Sequence, residues 1–182
     1  MLRAVCVFCG SQSGRSPAYA EAARALGREL AARGIELVYG GGRVGLMGTL
    51  ADEVLARGGR ATGVIPLELQ ERELGHTGLS ELHVVPSMHE RKARMASLSD
   101  AFVALPGGFG TLEEICEAIT WAQLGLQPKP CALLDAADYW APLVRLFDQA
   151  VEQGFVAPAG RALVLHEREP AALLDALERW NP

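Results

Sequence analysis

Ala101-Phe-Val-Ala-Leu-Pro-Gly-Gly-Phe-Gly-Thr-Leu-Glu-Glu114 is the stretch that decides how the chain is read. Ala101–Leu105 is a short apolar run of the kind a buried strand makes, and the apolar-periodic stretch from Ile115 to Leu124 reads as a helix. Between them Gly107, Gly108 and Gly110 form a strand-to-helix turn whose bare backbone lets a ligand come close. A helix N-terminus behind such a turn offers unpaired N–H groups and a positive dipole end, which suits a phosphate. Glu113 and Glu114 are expected in the first helical turn, beside that anion.

The same alternation extends in both directions. Upstream, the pattern predicts strands at Arg3–Phe8, Ile35–Tyr39, Ala61–Ile65 and Glu81–Val85, with helices from Pro17 to about Arg33, near 46–57 and over 87–98. Ser16-Pro17 is a helix start, with Ser at the N-cap and Pro at the first helical position. Residues 67–80 read as a polar connection. Downstream, strands at 131–134 and 162–165 alternate with helices near 138–153 and 170–180. Such alternation implies a parallel sheet covered on both faces. The expected architecture is one α/β domain over residues 1–182, Rossmann-like and doubly wound, with helices on both faces of the sheet. Three Gly- or Ser-rich turns follow strands: Gly10–Gly14, Gly40–Gly48 and Pro106–Thr111. All three should meet at the carboxyl edge of the sheet, where such folds bind ligands.

Bulk properties bound the function. With 182 residues, 49% of them hydrophobic and 21% charged, the chain has the composition of an ordinary soluble domain. A net charge of −5 argues against a nucleic-acid partner and requires that an anionic ligand be held by local groups. No apolar run is long enough to span a bilayer, so no membrane role is expected. The N-terminus looks like a first strand rather than a signal peptide, which points to a cytoplasmic address. Cys6 and Cys9 have CxxC spacing, but in a strand they face opposite sides; buried, reduced thiols are the favoured reading. The histidines show no metal-binding spacing, and no metal site is expected.

Three constellations bear on chemistry. Gly40-x-Gly42-x-x-Gly45 fits the dinucleotide fingerprint, yet the next strand ends Val64-Ile65-Pro66 without the acidic residue that would grip a ribose. A tight packing turn and a mononucleotide site both remain open there. In a helix over 87–98, Met88, Arg91, Lys92 and Met95 share one face. Either the two cations snorkel past the methionines, or they face a ligand; their place just before the glycine-rich strand favours the ligand. Thr111-x-x-Glu114 has the form of a capping box, so Glu114 is equally a helix cap or a functional carboxylate.

Pro106-Gly-Gly-Phe-Gly-Thr-Leu-Glu-Glu114 together with Met88-His-Glu-Arg-Lys92 closely resembles the paired PGGxGTxxE and MHxRK signatures of the Lonely Guy (LOG) family. The resemblance extends to Cys9-Gly-Ser11, Tyr39–Gly42, Gly45-Leu-Met-Gly48 and Thr120-Trp-Ala-Gln-Leu-Gly125. It implies a cytokinin riboside 5′-monophosphate phosphoribohydrolase, an enzyme that cleaves the N-glycosidic bond of N6-modified AMP, and in some relatives AMP itself. The products would be a free base and ribose 5-phosphate, with no cofactor required. By position it implies Arg91 and Glu114 as the catalytic pair. Glu73, Lys92, Gly107, Gly108, Phe109, Gly110, Thr111, Leu112, Glu113 and Thr120 would contact the nucleotide. It also implies a homodimer at least. Gln12 and Pro86 depart from the family's usual residues, which bears on substrate fit. A lysine decarboxylase label used for such chains is not carried over, because neither Lys92 nor Lys129 has the context of a Schiff-base lysine. The rival reading is a non-catalytic nucleotide-binding module on the same fold.

Overall fold

A computed structural model describes residues 2–70 and 75–180. The elements follow in the order β1 (Ala4–Phe8), α1 (Pro17–Ala32), β2 (Glu36–Tyr39), α2 (Gly45–Ala56), β3 (Ala61–Pro66), α3 (Leu67–Gln70), β4 (Glu81–Val85) and α4 (Met88–Leu98). Then come β5 (Ala101–Ala104), α5 (Phe109–Gln123), β6 (Cys131–Leu134), α6 (Ala141–Glu152), α7 (Pro158–Ala162), β7 (Val164–Glu167) and α8 (Pro170–Arg179). All seven strands form one parallel sheet in the order β4-β3-β2-β1-β5-β6-β7.

Strand β1 sits at the centre because it is apolar on both faces, and its five residues are all buried. Alternate side chains go to opposite cores. Val5, Val7 and Cys9 join Leu26 and Leu30 of α1, Leu50 and Val54 of α2, and Leu173, Leu174 and Leu177 of α8. Ala4, Cys6 and Phe8 join Met95 of α4, Ile115 of α5 and Trp140 on the other side. The final helix therefore packs inward through its leucines. Cys6 and Cys9 lie in different cores, as period-two geometry requires, and all four cysteines are free. Burial drives the Cys6 thiol well above its ordinary value, with the Glu114 carboxylate adding to the effect, and burial alone pushes Cys131 up to about 12. These buried thiols stay protonated at neutral pH.

The sheet reverses direction of growth at β1, whose neighbours are β2 on one side and β5 on the other. At that switch point the loops after β1 and β5 diverge and leave a crevice. The three glycine turns do meet there. Gly10 N–H donates to the Pro106 carbonyl at 3.0 Å, and Leu46 N–H donates to the Gly10 carbonyl at 3.0 Å. A Cβ at Gly45 would fall 2.4 Å from the Ser11 carbonyl oxygen, and Gly45 has φ +61°. Its glycine identity is thus demanded by the protein's own backbone, and the Gly40–Gly45 turn is in part a packing device.

Element boundaries differ from expectation where local tertiary structure intervenes. Residues 67–70 form a short helix within the expected connection, and α7 occupies 158–162, so β7 begins at Val164 rather than at 162. Helix α5 begins at Phe109 with Gly108 as its N-cap. Glu113 and Glu114 consequently lie in the second turn, and the first turn holds no acidic residue. Thr111 stands inside the helix, buried beneath Gly107, so the Thr111–Glu114 capping box does not form. No helix among the described residues is long and apolar enough to cross a membrane.

Candidate active site

A cavity of about 350 Å³ opens at the switch point. Its floor comes from the carboxyl end of β1 and from Gly40 after β2, one wall from α4, and the other from the first turns of α5. Arg91 and Glu114 both line it, along with Gly108, Phe109, Gly110, Thr111 and Glu113.

Arg91 reaches the cavity because α4 turns Met95 and Arg91 toward the sheet, where they are 1% and 5% exposed. Its Nη2 donates to the Gly40 carbonyl at 3.1 Å, and Nη1 lies 3.7 Å from the Met88 sulfur. A guanidinium kept this far from water is costly unless its donors are used, which is why its position is well defined. Gly40 is part of that arrangement, since a Cβ there would come 2.1 Å from Arg91 Nη2. Gly40→Ala should therefore displace the guanidinium rather than unfold the chain. We expect kcat/KM to fall roughly tenfold, as for one charged hydrogen-bonding partner misplaced, with the thermal midpoint changing little. Steady-state kinetics beside a melting curve checks it.

Glu114 is half-buried on the cavity side of α5. Its charge and that of Arg91 both act on the Cys6 thiol, one raising and the other lowering its pKa, and both side chains line the cavity beside Val7, Phe8 and Cys9. Lys92 is placed differently from Arg91. It stands outside the cavity lining, where Nζ meets Glu113 at 2.6 Å and Glu117 at 2.9 Å, and bolts α4 to α5. Burial alone would depress its pKa; the two carboxylates outweigh that and hold it above its ordinary value. The two cations expected to face a ligand together are thus divided between the cavity and a helix–helix strut.

The glycines of the loop fall into two kinds. At Gly107 a Cβ would collide with Thr111 Oγ1 at 2.1 Å, so close packing requires glycine. At Gly108 and Gly110 a Cβ would meet no protein atom within 4 Å, and neither has a positive φ. Nothing in the protein itself asks for glycine at these two positions, and both face the cavity. Gly107 instead lines a second, smaller cavity of about 220 Å³ with Ser11, Tyr19 and Tyr139.

The remaining expected contacts are scattered. Leu112 packs partly buried against the core on the α4–α5 side of the sheet. Thr120 donates to the Cys116 carbonyl at 2.8 Å and lines a separate apolar groove between α5, α6 and α7. Glu73 lies outside the described residues. Conversely Ser11, Met47 and Leu69 line the main cavity without having been singled out. The Gly10–Gly14 turn was a visible signal for Ser11 and the Gly45-Leu-Met-Gly48 segment for Met47; Leu69 had none.

A family model described as "Possible lysine decarboxylase" matches residues 47–177. Among curated relatives, the rice (Oryza sativa subsp. japonica) protein named "Probable cytokinin riboside 5'-monophosphate phosphoribohydrolase LOGL2" is 49% identical over 180 residues, 99% of this chain and 74% of that one. Cytokinin riboside 5′-monophosphate phosphoribohydrolase LOG7 of Arabidopsis thaliana is 48% identical over 178 residues, 98% of this chain and 82% of its own length. The chain belongs to the Lonely Guy family. In fold it is similar to the Moco carrier protein of Chlamydomonas reinhardtii, with a TM-score of 0.73, 21% identity, and 98% and 97% of the two chains covered. The decarboxylase description finds no support in the lysines of this LOG chain. Lys92 is held by two carboxylates and Lys129 donates to the Ala96 carbonyl at 2.6 Å, so neither is presented to the cavity for a Schiff base.

Proposed function

We propose that this LOG-family chain hydrolyses the N-glycosidic bond of N6-modified AMP, cytokinin riboside 5′-monophosphates above all and AMP as well, to the free base and ribose 5-phosphate. The observation that carries the reading is one cavity holding Arg91, Glu114 and two glycines that no protein contact requires, at the N-terminus of a helix. The names of the relatives point to the same chemistry.

The phosphate docks on the N–H groups that open α5, over Gly108 and Gly110, where local dipoles offset the chain's overall negative charge. That anchor orients the sugar toward Glu114. As the C1′–N bond lengthens, its electron pair passes to the base and positive charge grows on the ribose. Glu114 stabilises that charge and takes a proton from the water that attacks C1′, while the departing base takes up a proton from solvent and Glu114 afterwards returns its own to solvent. Arg91, fixed by Gly40, holds substrate oxygens and orients the Glu114 carboxylate. Thr111 and Phe109 shape the phosphate pocket, Glu113 and Lys92 brace it, and Glu73 and Thr120 complete the nucleotide contacts. No metal or organic cofactor takes part in this scheme.

The protein acts in the cytoplasm as a homodimer in this reading. Phe109, Leu124 and Leu126 of the α5 region and Phe155 after α6 are 92%, 64%, 67% and 86% exposed. Helix α6 is amphipathic yet has no fully buried residue, so this side of the fold offers an apolar surface suited to a second copy. Thr120 lies on that side and would enter the site from across the interface.

Product analysis tests the reading. Incubated with N6-isopentenyl-AMP, AMP and other nucleoside monophosphates in the presence of a chelator, the protein should release ribose 5-phosphate from the adenine nucleotides. Nucleotide binding without any released sugar phosphate would favour a non-catalytic module instead.

A further inference from the structure

Carbonyls of the segment that ends β5 and enters the glycine loop are tied back by donors from elsewhere in the fold. Trp140 Nε1 donates to the Ala104 carbonyl at 3.2 Å, Gly10 N–H to the Pro106 carbonyl at 3.0 Å, and the Tyr139 hydroxyl to the Gly107 carbonyl. The third bond matters most. The peptide joining Gly107 to Gly108 is flanked by glycine on both sides, so no side chain biases its orientation, and it is the peptide from which the loop reaches the cavity.

Every peptide bond here is trans, so the Gly107 carbonyl and the Gly108 N–H point in opposite directions. Tyr139 lines only the smaller cavity, while Gly108 lines both. Holding the Gly107 carbonyl against Tyr139 therefore turns the Gly108 N–H away from Tyr139. A flip of this peptide would present a carbonyl oxygen to the incoming phosphate instead.

Tyr139 is itself held firmly. Its ring makes edge contacts with Tyr19 and Trp140, at 5.7 and 5.0 Å between centroids. The turn that carries it is clamped by the buried Asp135 carboxylate. Oδ1 accepts the Trp140 N–H at 3.0 Å, and Oδ2 meets His166 at 3.0 Å. Ala137 and Asp138 within the turn have φ of +52° and +58°, left-handed values that non-glycine residues adopt only where their surroundings impose them.

We propose that Tyr139 is a positioning residue for the reaction: its hydroxyl latches the Gly107–Gly108 peptide so that the Gly108 N–H faces the substrate's 5′-phosphate. The inference rests on the phosphate-binding reading above. Tyr139→Phe removes only the hydroxyl and keeps the ring contacts. We expect KM for AMP to rise and affinity for ribose 5-phosphate to fall by the same factor, roughly tenfold, with kcat within about threefold of the parent. Affinity for the nucleoside lacking the phosphate should be unchanged, and the melting temperature should move by no more than a few degrees. Unaltered KM and ribose 5-phosphate affinity in a folded Tyr139→Phe protein would overturn the latch. So would equal losses for nucleotide and nucleoside, which mark a general packing role. If the parent binds neither AMP nor ribose 5-phosphate, the phosphate reading falls and the latch with it. Should Tyr139→Phe fail to fold, Tyr139→His, which keeps a ring and a donor, must restore folding and part of the affinity, and its failure to do so counts against the proposal.

Discussion

Glu114→Gln should give a folded protein whose release of ribose 5-phosphate is slower by roughly 10²- to 10⁴-fold, the range typical for loss of a positioned acid–base group. The substitution keeps the size and hydrogen-bonding reach of the side chain and removes its charge. Had Glu114 been a helix cap, Gln would serve as well and activity would persist. That alternative is closed, because α5 starts at Phe109 behind Gly108 and Glu114 lies in the second turn. The loss should appear in kcat and in kcat/KM together, with KM for AMP nearly constant, because the carboxylate acts on charge that exists only in the transition state. The melting temperature should move by no more than a few degrees, since the side chain is only half-buried and keeps its size. Turnover within a few-fold of the parent would remove Glu114 from the mechanism and shift attention to Glu113, which also lines the cavity.

The parts of this molecule that could be read from the sequence are those fixed by local pattern. Buried parallel strands such as Val5–Phe8 and Ala101–Ala104 are continuous apolar runs, so the alternation of strands and helices was visible, and with it the carboxyl-edge location of the site. Ser16-Pro17 announced α1 correctly, with the Ser16 hydroxyl accepting the Ala18 N–H. What could not be read depends on contacts between distant segments. The start of α5 was misplaced because its first turn contains glycine, a poor helix former, yet the turn forms over Thr111 and Gly107 packed against Gly10. Arg91 and Lys92 share a helical stripe, but which of the two enters the cavity is decided by Gly40 on one side and by Glu113 and Glu117 on the other. Tyr139 lies 32 residues from the carbonyl it binds, with no motif around it. Local periodicity carries no information about a partner chosen at that separation.

Gly110→Ala is expected to make the protein more stable and nearly inactive. Gly110 is the second residue of α5, has an ordinary helical environment, and a Cβ there would meet no protein atom within 4 Å. Alanine in a helix is favoured over glycine by about 1 kcal/mol, which for a chain of this size corresponds to a melting temperature higher by roughly 2–4 °C. Gly108→Ala should be near neutral for stability, within about 1 kcal/mol, since it exchanges an N-cap glycine for a poorer cap. In both variants the new methyl group projects into space the fold leaves open beside the cavity. A phosphate bound to the α5 N–H groups needs that space, so each substitution should lower kcat/KM for AMP by about a hundredfold or more, through KM first. Gly48 provides the internal contrast, because a Cβ there would fall 2.0 Å from the Arg43 carbonyl oxygen and Gly48→Ala should cost stability outright. Paired melting curves and ribose 5-phosphate titrations distinguish the two kinds of glycine. If Gly110→Ala gains stability and keeps its affinity for ribose 5-phosphate, the phosphate does not sit on this helix. If it loses both stability and affinity, the open space is needed by the protein rather than by a ligand. Only a gain in one with a loss in the other fits a glycine kept for the substrate, against the interest of the fold.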